Sequence, residues 1–239
     1  IDRSRGLGDV YKRQAKDYAE KISASIREFG VLPSSKIKPG MYINPESNET
    51  THFSIADKFG NVISNTYTIN SAFGSGVTIK GTGILMNNEM DDFSGQPGVP
   101  NQFGLLGGIA NEVEPGKRPL SSMTPTIVFD NDEPFLAIGS PGGSRIITAV
   151  LQIILNVIDF EQSLEEATDS KRVHHQWYPD DIDIEETYNQ INELMDLGYK
   201  IDIIDTATCT QSIMIVDSDF IGVSDLRRPD SLALGVKND

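Results

Sequence analysis

The chain has 239 residues, enough for one large domain or two small ones, and a formal net charge of −15. This acidity argues against nucleic-acid binding, which needs a basic surface, and against attachment to an anionic membrane. The one cysteine, Cys209, excludes an intrachain disulfide, and no apolar run reaches the length that spans a membrane.

The first segment, residues 1–14, differs from the rest of the chain. It is basic, lacks apolar periodicity and resembles a translated sequencing-adapter remnant, so we interpret it as non-native and leave it out of the fold. Residues 15–30 then place apolar side chains at helical spacing, which predicts a helix. A Pro- and Ser-rich loop follows as far as Glu49.

From Thr51 the apolar pattern has a period of two. Residues 51–56 and 62–70, on either side of the turn 57–61, predict a β-hairpin. The irregular region 71–119 is rich in Gly, Asn and Pro, and loops of such length usually carry function.

The second half of the chain predicts further strands and helices. We predict strands over 125–130, 134–140, 199–205, 211–217 and 220–225, and helices over about 144–159, 163–171 and 185–198. This order of elements indicates one α/β domain in which mainly antiparallel hairpins pack in layers.

Thr50 stands where the polar loop meets the first strand. A β-branched residue there is consistent with a simple strand start. A threonine hydroxyl is a poor nucleophile without a base, and this chain has three histidines and no Gly-x-Ser-x-Gly elbow. Cleavage before Thr50 would create an α-amine with a pKa of roughly 7.7–8.0 on the same residue, and that amine could accept the hydroxyl proton.

The sequence "SPGGSR" places Gly142 and Gly143 between a predicted strand and a predicted helix. Their backbone N–H groups could converge on an anion. The pattern lacks the Lys and Ser/Thr of a phosphate loop, which leaves an oxyanion hole or a simple tight turn.

Two loops carry groups that suit an amino-acid ligand. In "NNEMDDF", Glu89, Asp91 and Asp92 could hold an ammonium group, and in "KRPLSSM", Ser121 and Ser122 could donate to a carboxylate. The acidic spacing matches no EF-hand, and we predict no metal and no cofactor.

Seven stretches occur in order and together are specific to one family. They are "TTHFSIADKFGN", "NTYTIN", "GTGILMNNEMDDFS", "PGVPNQFGL", "PGKRPLSSMTPTIV", "GSPGGSRIITAVLQIILNVID" and "HHQWYPD". From residue 15 onward the chain resembles the γ-glutamyltransferases, which are N-terminal-nucleophile hydrolases. The resemblance implies part of an α+β, four-layered αββα sandwich, with residues 15–49 ending a large subunit and 50–239 forming the small, catalytic subunit.

The resemblance also implies roles for individual residues. Autocatalytic cleavage between Glu49 and Thr50 would make Thr50 both nucleophile and general base. The remaining roles implied are support of the nucleophile by Thr68, an oxyanion hole at Gly142 and Gly143, ammonium binding by Asn70, Glu89 and Asp92, carboxylate binding by Ser121 and Ser122, and a lid position at Phe103. No chemistry is expected of His52, His174, His175 or Trp177.

The implied activity is cleavage of the γ-glutamyl amide of glutathione and related compounds, with transfer to water or to an amino acid or peptide. The implied partner is the missing large-subunit portion of the same precursor, without which we expect the chain to be inactive. A periplasmic or extracellular location is expected. Two alternatives stay open: another N-terminal-nucleophile hydrolase, such as a cephalosporin acylase or a polyglutamate transpeptidase, and a non-catalytic binding module.

Overall fold

The computed structural model describes residues 16–26, 33–34, 50–102, 105–177 and 179–236. Its helices and strands, in chain order, are α1 (Lys16–Ser25), β1 (Thr51–Ala56), β2 (Val62–Tyr67), β3 (Thr126–Asp130), β4 (Glu133–Gly139), α2 (Arg145–Ile158), α3 (Leu164–Asp169), β5 (Val173–His174), β6 (Ile182–Glu185), α4 (Ile191–Asp196), β7 (Ile201–Ile204), β8 (Gln211–Val216) and β9 (Asp219–Ser224). Short 3-10 helices span Glu89–Asp92 and Ile109–Asn111. None of the helices in these ranges is both long and apolar enough to cross a membrane.

The strands form three groups. An antiparallel sheet has the order β3-β4-β8-β9, and β1 pairs with β2 as the predicted hairpin. In the third group β5 pairs antiparallel with β6, whereas β6 pairs parallel with β7.

These elements stack in layers around the four-stranded sheet. The hairpin packs on one face of this sheet, against β4 and β8, and α2 packs on the other face together with α3. Between the sheet and the two helices lies the apolar core, formed by Leu136, Ile138, Ile146, Val150, Ile153, Leu164 and Ala167. The capping box of Ser163 and Glu166 fixes where α3 begins.

The hairpin carries polar side chains on its inner face and apolar ones on its outer face. His52 and Ser54 point toward the four-stranded sheet, and Ser64 donates to the Ile138 carbonyl at 2.9 Å. The His52 ring lies so close to Gly139 that a Cβ atom at Gly139 would overlap it. On the outer face the exposed fractions are 43% for Phe53, 49% for Ile55, 50% for Ile63 and 65% for Tyr67.

One predicted helix was wrong at its start. We predicted a helix over 185–198, but α4 begins at Ile191, and Glu185 ends strand β6. The reason is tertiary: β6 pairs with β5 and β7, and Ile182 and Ile184, which alternate with Asp183, are buried. The prediction also omitted β6, and the parallel β6–β7 pair departs from the expected antiparallel pattern.

Candidate active site

A pocket beside the start of β1 brings together predicted site residues from five separate parts of the chain. Those that line it are Thr50, Thr68, Asn70, Asp92, Ser121, Ser122 and Gly143. Glu89 lies next to Asp92, with which it shares a side-chain hydrogen bond, and Gly142 precedes Gly143. Glu49 and Phe103 lie outside the described residues.

Thr50 lies immediately before β1 and is buried. Its Oγ1 lies 3.3 Å from Oγ1 of Thr68, a residue that follows β2. Because β1 and β2 are antiparallel, the residue before one strand and the residue after the other come to the same end of the hairpin. A guanidinium nitrogen of Arg228 lies 3.5 Å from the Thr50 carbonyl oxygen.

Asn70 links this hairpin end to the acidic loop. Its backbone has a left-handed φ of 77°, which asparagine tolerates better than most residues. Its N–H donates to Oγ1 of Thr68 at 2.9 Å, and its side-chain amide donates to the Asn88 carbonyl at 3.3 Å. The nucleophile candidate and the acidic loop are therefore connected through one turn.

Asp92 and Glu89 form a pair of carboxyl groups beside the pocket. Burial raises the pKa of Asp92 to about 7, with further contributions from the hydrogen bond and charge of Glu89 and the charge of Asp91; the Asn70 side chain opposes them. Burial likewise raises the pKa of Glu89. A cationic ligand would relieve this concentration of negative charge.

The Gly142–Gly143 turn opens helix α2. Both residues have positive φ, 123° for Gly142 and 56° for Gly143, in agreement with the need for glycine there. Their carbonyls accept the N–H groups of Arg145 and Ile146 at 3.2 and 3.3 Å. Across the described parts of the chain, the N–H groups of Gly142 and Gly143 donate to no protein acceptor, which leaves both for an anionic ligand at a helix N-terminus.

Asn111 was not identified from the sequence, yet it lines the pocket and joins two of its walls. Its side-chain amide donates to the Asp92 carbonyl at 2.7 Å, and its Oδ1 accepts the N–H of Leu120 at 2.9 Å. It therefore ties the acidic loop to the loop that carries Ser121 and Ser122. No sequence signal separates it from the other loop asparagines.

His52 and His174 are bonded to framework side chains. His52 contacts Thr66 Oγ1 and Ser54 Oγ at 2.8 and 3.0 Å, and burial lowers its pKa to about 4. Burial also lowers the pKa of His174, whose Nδ1 lies 2.8 Å from Thr148 Oγ1. Burial thus favours the neutral form of both rings, and each ring contacts a hydroxyl group of the framework.

Within the described ranges no group of three or more His, Cys, Asp or Glu side chains is arranged to hold a metal ion.

Residues 9–235 match the family model described as Gamma-glutamyltranspeptidase. The chain belongs to this family. It is 47% identical over 244 residues to the glutathione hydrolase proenzyme of Escherichia coli, a match that covers 98% of this chain and 42% of the relative. The chain thus spans less than half the length of that relative.

Two solved structures are similar to this fold. The gamma-glutamyltranspeptidase T380A mutant of Helicobacter pylori matches with a TM-score of 0.72 and 48% identity, covering 74% of this chain and 100% of that chain. The cephalosporin acylase of Bacillus halodurans matches with a TM-score of 0.75 and 24% identity, covering 94% of this chain and 39% of that one, which shows the fold alone. The prediction of a partial N-terminal-nucleophile hydrolase fold is confirmed.

Proposed function

We propose that this chain is the catalytic portion of a glutathione hydrolase that transfers the γ-glutamyl group to water or to an amino acid or peptide. The support from similarity is the 47% identity to a relative named glutathione hydrolase proenzyme. The observation that carries the proposal is the single pocket shared by Thr50, Gly143, Asp92 and the Ser121–Ser122 pair.

In the proposed reaction Thr50 acts after the bond between Glu49 and Thr50 is cleaved. The new α-amine takes the hydroxyl proton as Oγ1 attacks the γ-carbonyl, and the resulting oxyanion is bound by the N–H groups of Gly142 and Gly143. Collapse expels the amine of the donor, which leaves with a proton, and forms a threonine ester. Water or an acceptor amine then attacks this ester, regenerates the Thr50 hydroxyl and releases glutamate or the new γ-glutamyl amide.

The proposed substrate class rests on two sets of polar residues in the pocket lining. Asp92, with Glu89 beside it, offers negative charge to an α-ammonium group, and the hydroxyls of Ser121 and Ser122 can donate to an α-carboxylate. A zwitterion needs both charges satisfied when it leaves water. This arrangement favours a free α-amino-acid end, as in glutathione, over the side chain of a cephalosporin or an internal residue of a polyglutamate chain.

The proposed partner is the remainder of the same precursor. The chain spans 42% of the Escherichia coli relative, and its hairpin leaves Phe53, Ile55, Ile63 and Tyr67 exposed. We propose that residues 15–49 end a large subunit, that 50–239 form the small one, and that the chain alone is inactive. The periplasmic or extracellular location stays a prediction.

The test compares Thr50→Ala with Thr51→Ala in the complete precursor. Thr51 is the exposed neighbour, so its variant controls for substitution at the same strand start. We expect wild type and Thr51→Ala to yield a fragment beginning at Thr50 by mass spectrometry and to hydrolyse γ-glutamyl-p-nitroanilide. Thr50→Ala should stay uncut and inactive. Turnover by Thr50→Ala, or by residues 15–239 alone, would contradict the corresponding part of the proposal.

A further inference from the structure

Two buried hydroxyl groups lie behind the Gly142–Gly143 turn. Ser140 and Thr208 are 0% and 4% exposed, and their hydroxyl oxygens lie 2.6 Å apart. Oγ of Ser140 lies 2.6 Å from the Pro141 carbonyl oxygen and 2.8 Å from the carbonyl oxygen of Cys209. Thr208 Oγ1 donates to the same Pro141 carbonyl. We propose that Thr208 is a positioning residue that aims the N–H of Gly142 into the active-site pocket.

The first argument is the geometry of the peptide unit. The Pro141 carbonyl and the Gly142 N–H belong to one planar group, and in a trans peptide they point in opposite directions. A hydroxyl that holds the carbonyl on the buried side therefore fixes the N–H on the other side. Gly143, the next residue, lines the pocket that contains Thr50. On this proposal the Gly142 N–H faces the same pocket, and a contact within the protein holds it there before any substrate binds.

The second argument is how closely Thr208 fits the turn. A Cβ atom at Gly142 would clash with Oγ1 of Thr208 and would lie 2.8 Å from its Cβ. Glycine at this position therefore serves two purposes, since it accepts the φ of 123° and leaves room for the threonine. The side chain of Thr208 is thus packed directly under the Cα of Gly142.

The third argument is that the backbone around Thr208 is itself fixed. Arg172 donates to the Thr208 carbonyl at 2.7 Å, Glu185 accepts the N–H of Ala207 at 2.9 Å, and Asp225 accepts the N–H of Thr210 at 2.9 Å. Arg172, Glu185 and Asp225 are each at most 2% exposed, and Arg172 pairs with Asp225 at 2.6 Å. These three buried side chains therefore hold the backbone of the segment at the Ala207 N–H, the Thr208 carbonyl and the Thr210 N–H. The segment that carries Thr208 is a rigid support for the turn.

This inference rests on the proposed function, because it needs Gly142 to stabilise an oxyanion. It also makes a prediction that a purely structural role does not. Oxyanion-hole contacts are formed with the tetrahedral state and not with the bound substrate. Loss of the Thr208 hydroxyl should therefore lower kcat and leave KM almost unchanged.

The experiment uses the complete, matured enzyme with Thr208→Val, which keeps the side-chain shape but removes the hydroxyl. We expect kcat to fall about tenfold or more, less than the roughly 10²–10³-fold cost of losing a donor outright. A γ-boronate analogue of glutamate, which forms a tetrahedral adduct with the nucleophile, should bind more weakly by a similar factor, whereas inhibition by glutamate should stay unchanged. Thr208→Ser restores a hydroxyl and should recover most of the activity.

Thr206→Val is the matched control, since Thr206 lies on the same segment without a hydrogen bond to the turn. The inference would be overturned if Thr208→Val had wild-type kinetics. It would also be overturned if the substitution weakened the binding of glutamate and of the boronate by the same factor. If Thr208→Val does not mature, Thr208→Ala, which also lacks the hydroxyl, carries the test: a lower kcat at constant KM supports positioning, and unchanged kinetics refute it. Failure of the proposed function itself is distinguishable, because it would appear as turnover by Thr50→Ala.

Discussion

The carboxyl group of Asp92 can bind a cation only after it loses its proton, and burial next to Glu89 raises its pKa to about 7. A donor ammonium must therefore displace a proton from this pair when the pH is below 7. We predict that KM for a γ-glutamyl donor rises as the pH falls from about 7, approaching tenfold per pH unit for one displaced proton. Steady-state kinetics between pH 5 and 8.5 measure this dependence.

The Asp92→Asn variant separates ligand binding from stability. It should raise KM at every pH and abolish its dependence on the titration near pH 7. A carboxyl group whose pKa is raised on folding stabilises the protein below its unfolded pKa, and this contribution disappears as the pH rises through the folded pKa. Asp92→Asn should therefore increase the melting temperature at pH 8 relative to wild type. A lower melting temperature at pH 8 would contradict this account of the Asp92 site.

Asn111 offers a second test at the scale of single residues. Asn111→Ala leaves the Asp92 carbonyl and the Leu120 N–H without their protein partner. Because the first bond is only partly buried and the second is exposed, water can replace some of what is lost, and we expect a cost of about 1 kcal/mol. Because both walls of the proposed amino-acid site depend on this bridge, we expect KM for the donor to rise about tenfold with a smaller change in kcat. Asn111→Asp keeps the acceptor for Leu120 and should have an intermediate KM.

At the scale of elements, the contact between the hairpin and the four-stranded sheet depends on the space above Gly139. Gly139→Ala places a methyl group on the His52 ring, and we expect this overpacking to cost about 1–3 kcal/mol. The displaced β1 would also move Thr50, so cleavage of the precursor should slow. Thermal unfolding and the cleaved fraction on a gel measure the two effects.

A double-mutant cycle checks the cause. His52→Ser removes the ring, so Gly139→Ala should cost much less free energy of unfolding in that background than in wild type. Equal costs in both backgrounds would show that the His52–Gly139 contact is not responsible.

The elements that the sequence predicts well are those with a single periodicity. The hairpin shows clean alternation around its turn, and α2 has a continuous apolar pattern after a glycine turn, so both were found close to their observed bounds. The helix predicted over 185–198 failed because Glu185 lies in a strand whose burial depends on β5 and β7, which are distant in sequence. In the site, Asn111 was missed because a bridging role depends on tertiary contacts that leave no local pattern.

The alternation of the hairpin did not reveal which face is covered. Phe53 and Ile55 are the residues that a two-layered sheet would bury, yet it is His52 and Ser54 that face the neighbouring sheet. Polar groups can be buried there because each finds a hydroxyl or carbonyl partner. An apolar patch left on the outside is typical of a surface that takes part in protein–protein contact.

At the scale of the whole molecule, this outer face predicts how the chain behaves without the remainder of its precursor. Exposed apolar side chains promote self-association, so we expect the 239-residue chain expressed alone to bind a hydrophobic dye and to sediment as a mixture of species. Replacing Phe53 and Ile55 with serine should reduce both effects without loss of the core, because both side chains lie on the outer face. Dye fluorescence and analytical ultracentrifugation provide the measurements.

The same double variant should have the opposite effect in the complete precursor. Phe53 and Ile55 are 43% and 49% exposed in this chain, so only about half of each side chain remains to be covered by the remainder of the precursor. If that remainder packs on them, serine at both positions forfeits about 1 kcal/mol of burial per side chain, and the two portions should separate more readily after cleavage. We therefore expect weaker co-purification of the two fragments and lower activity on dilution, whereas serine at Phe129, an exposed apolar residue on β3, serves as the control. Undiminished co-purification of the Phe53/Ile55 variant would place the interface elsewhere, and the outer face of the hairpin would then need a different explanation.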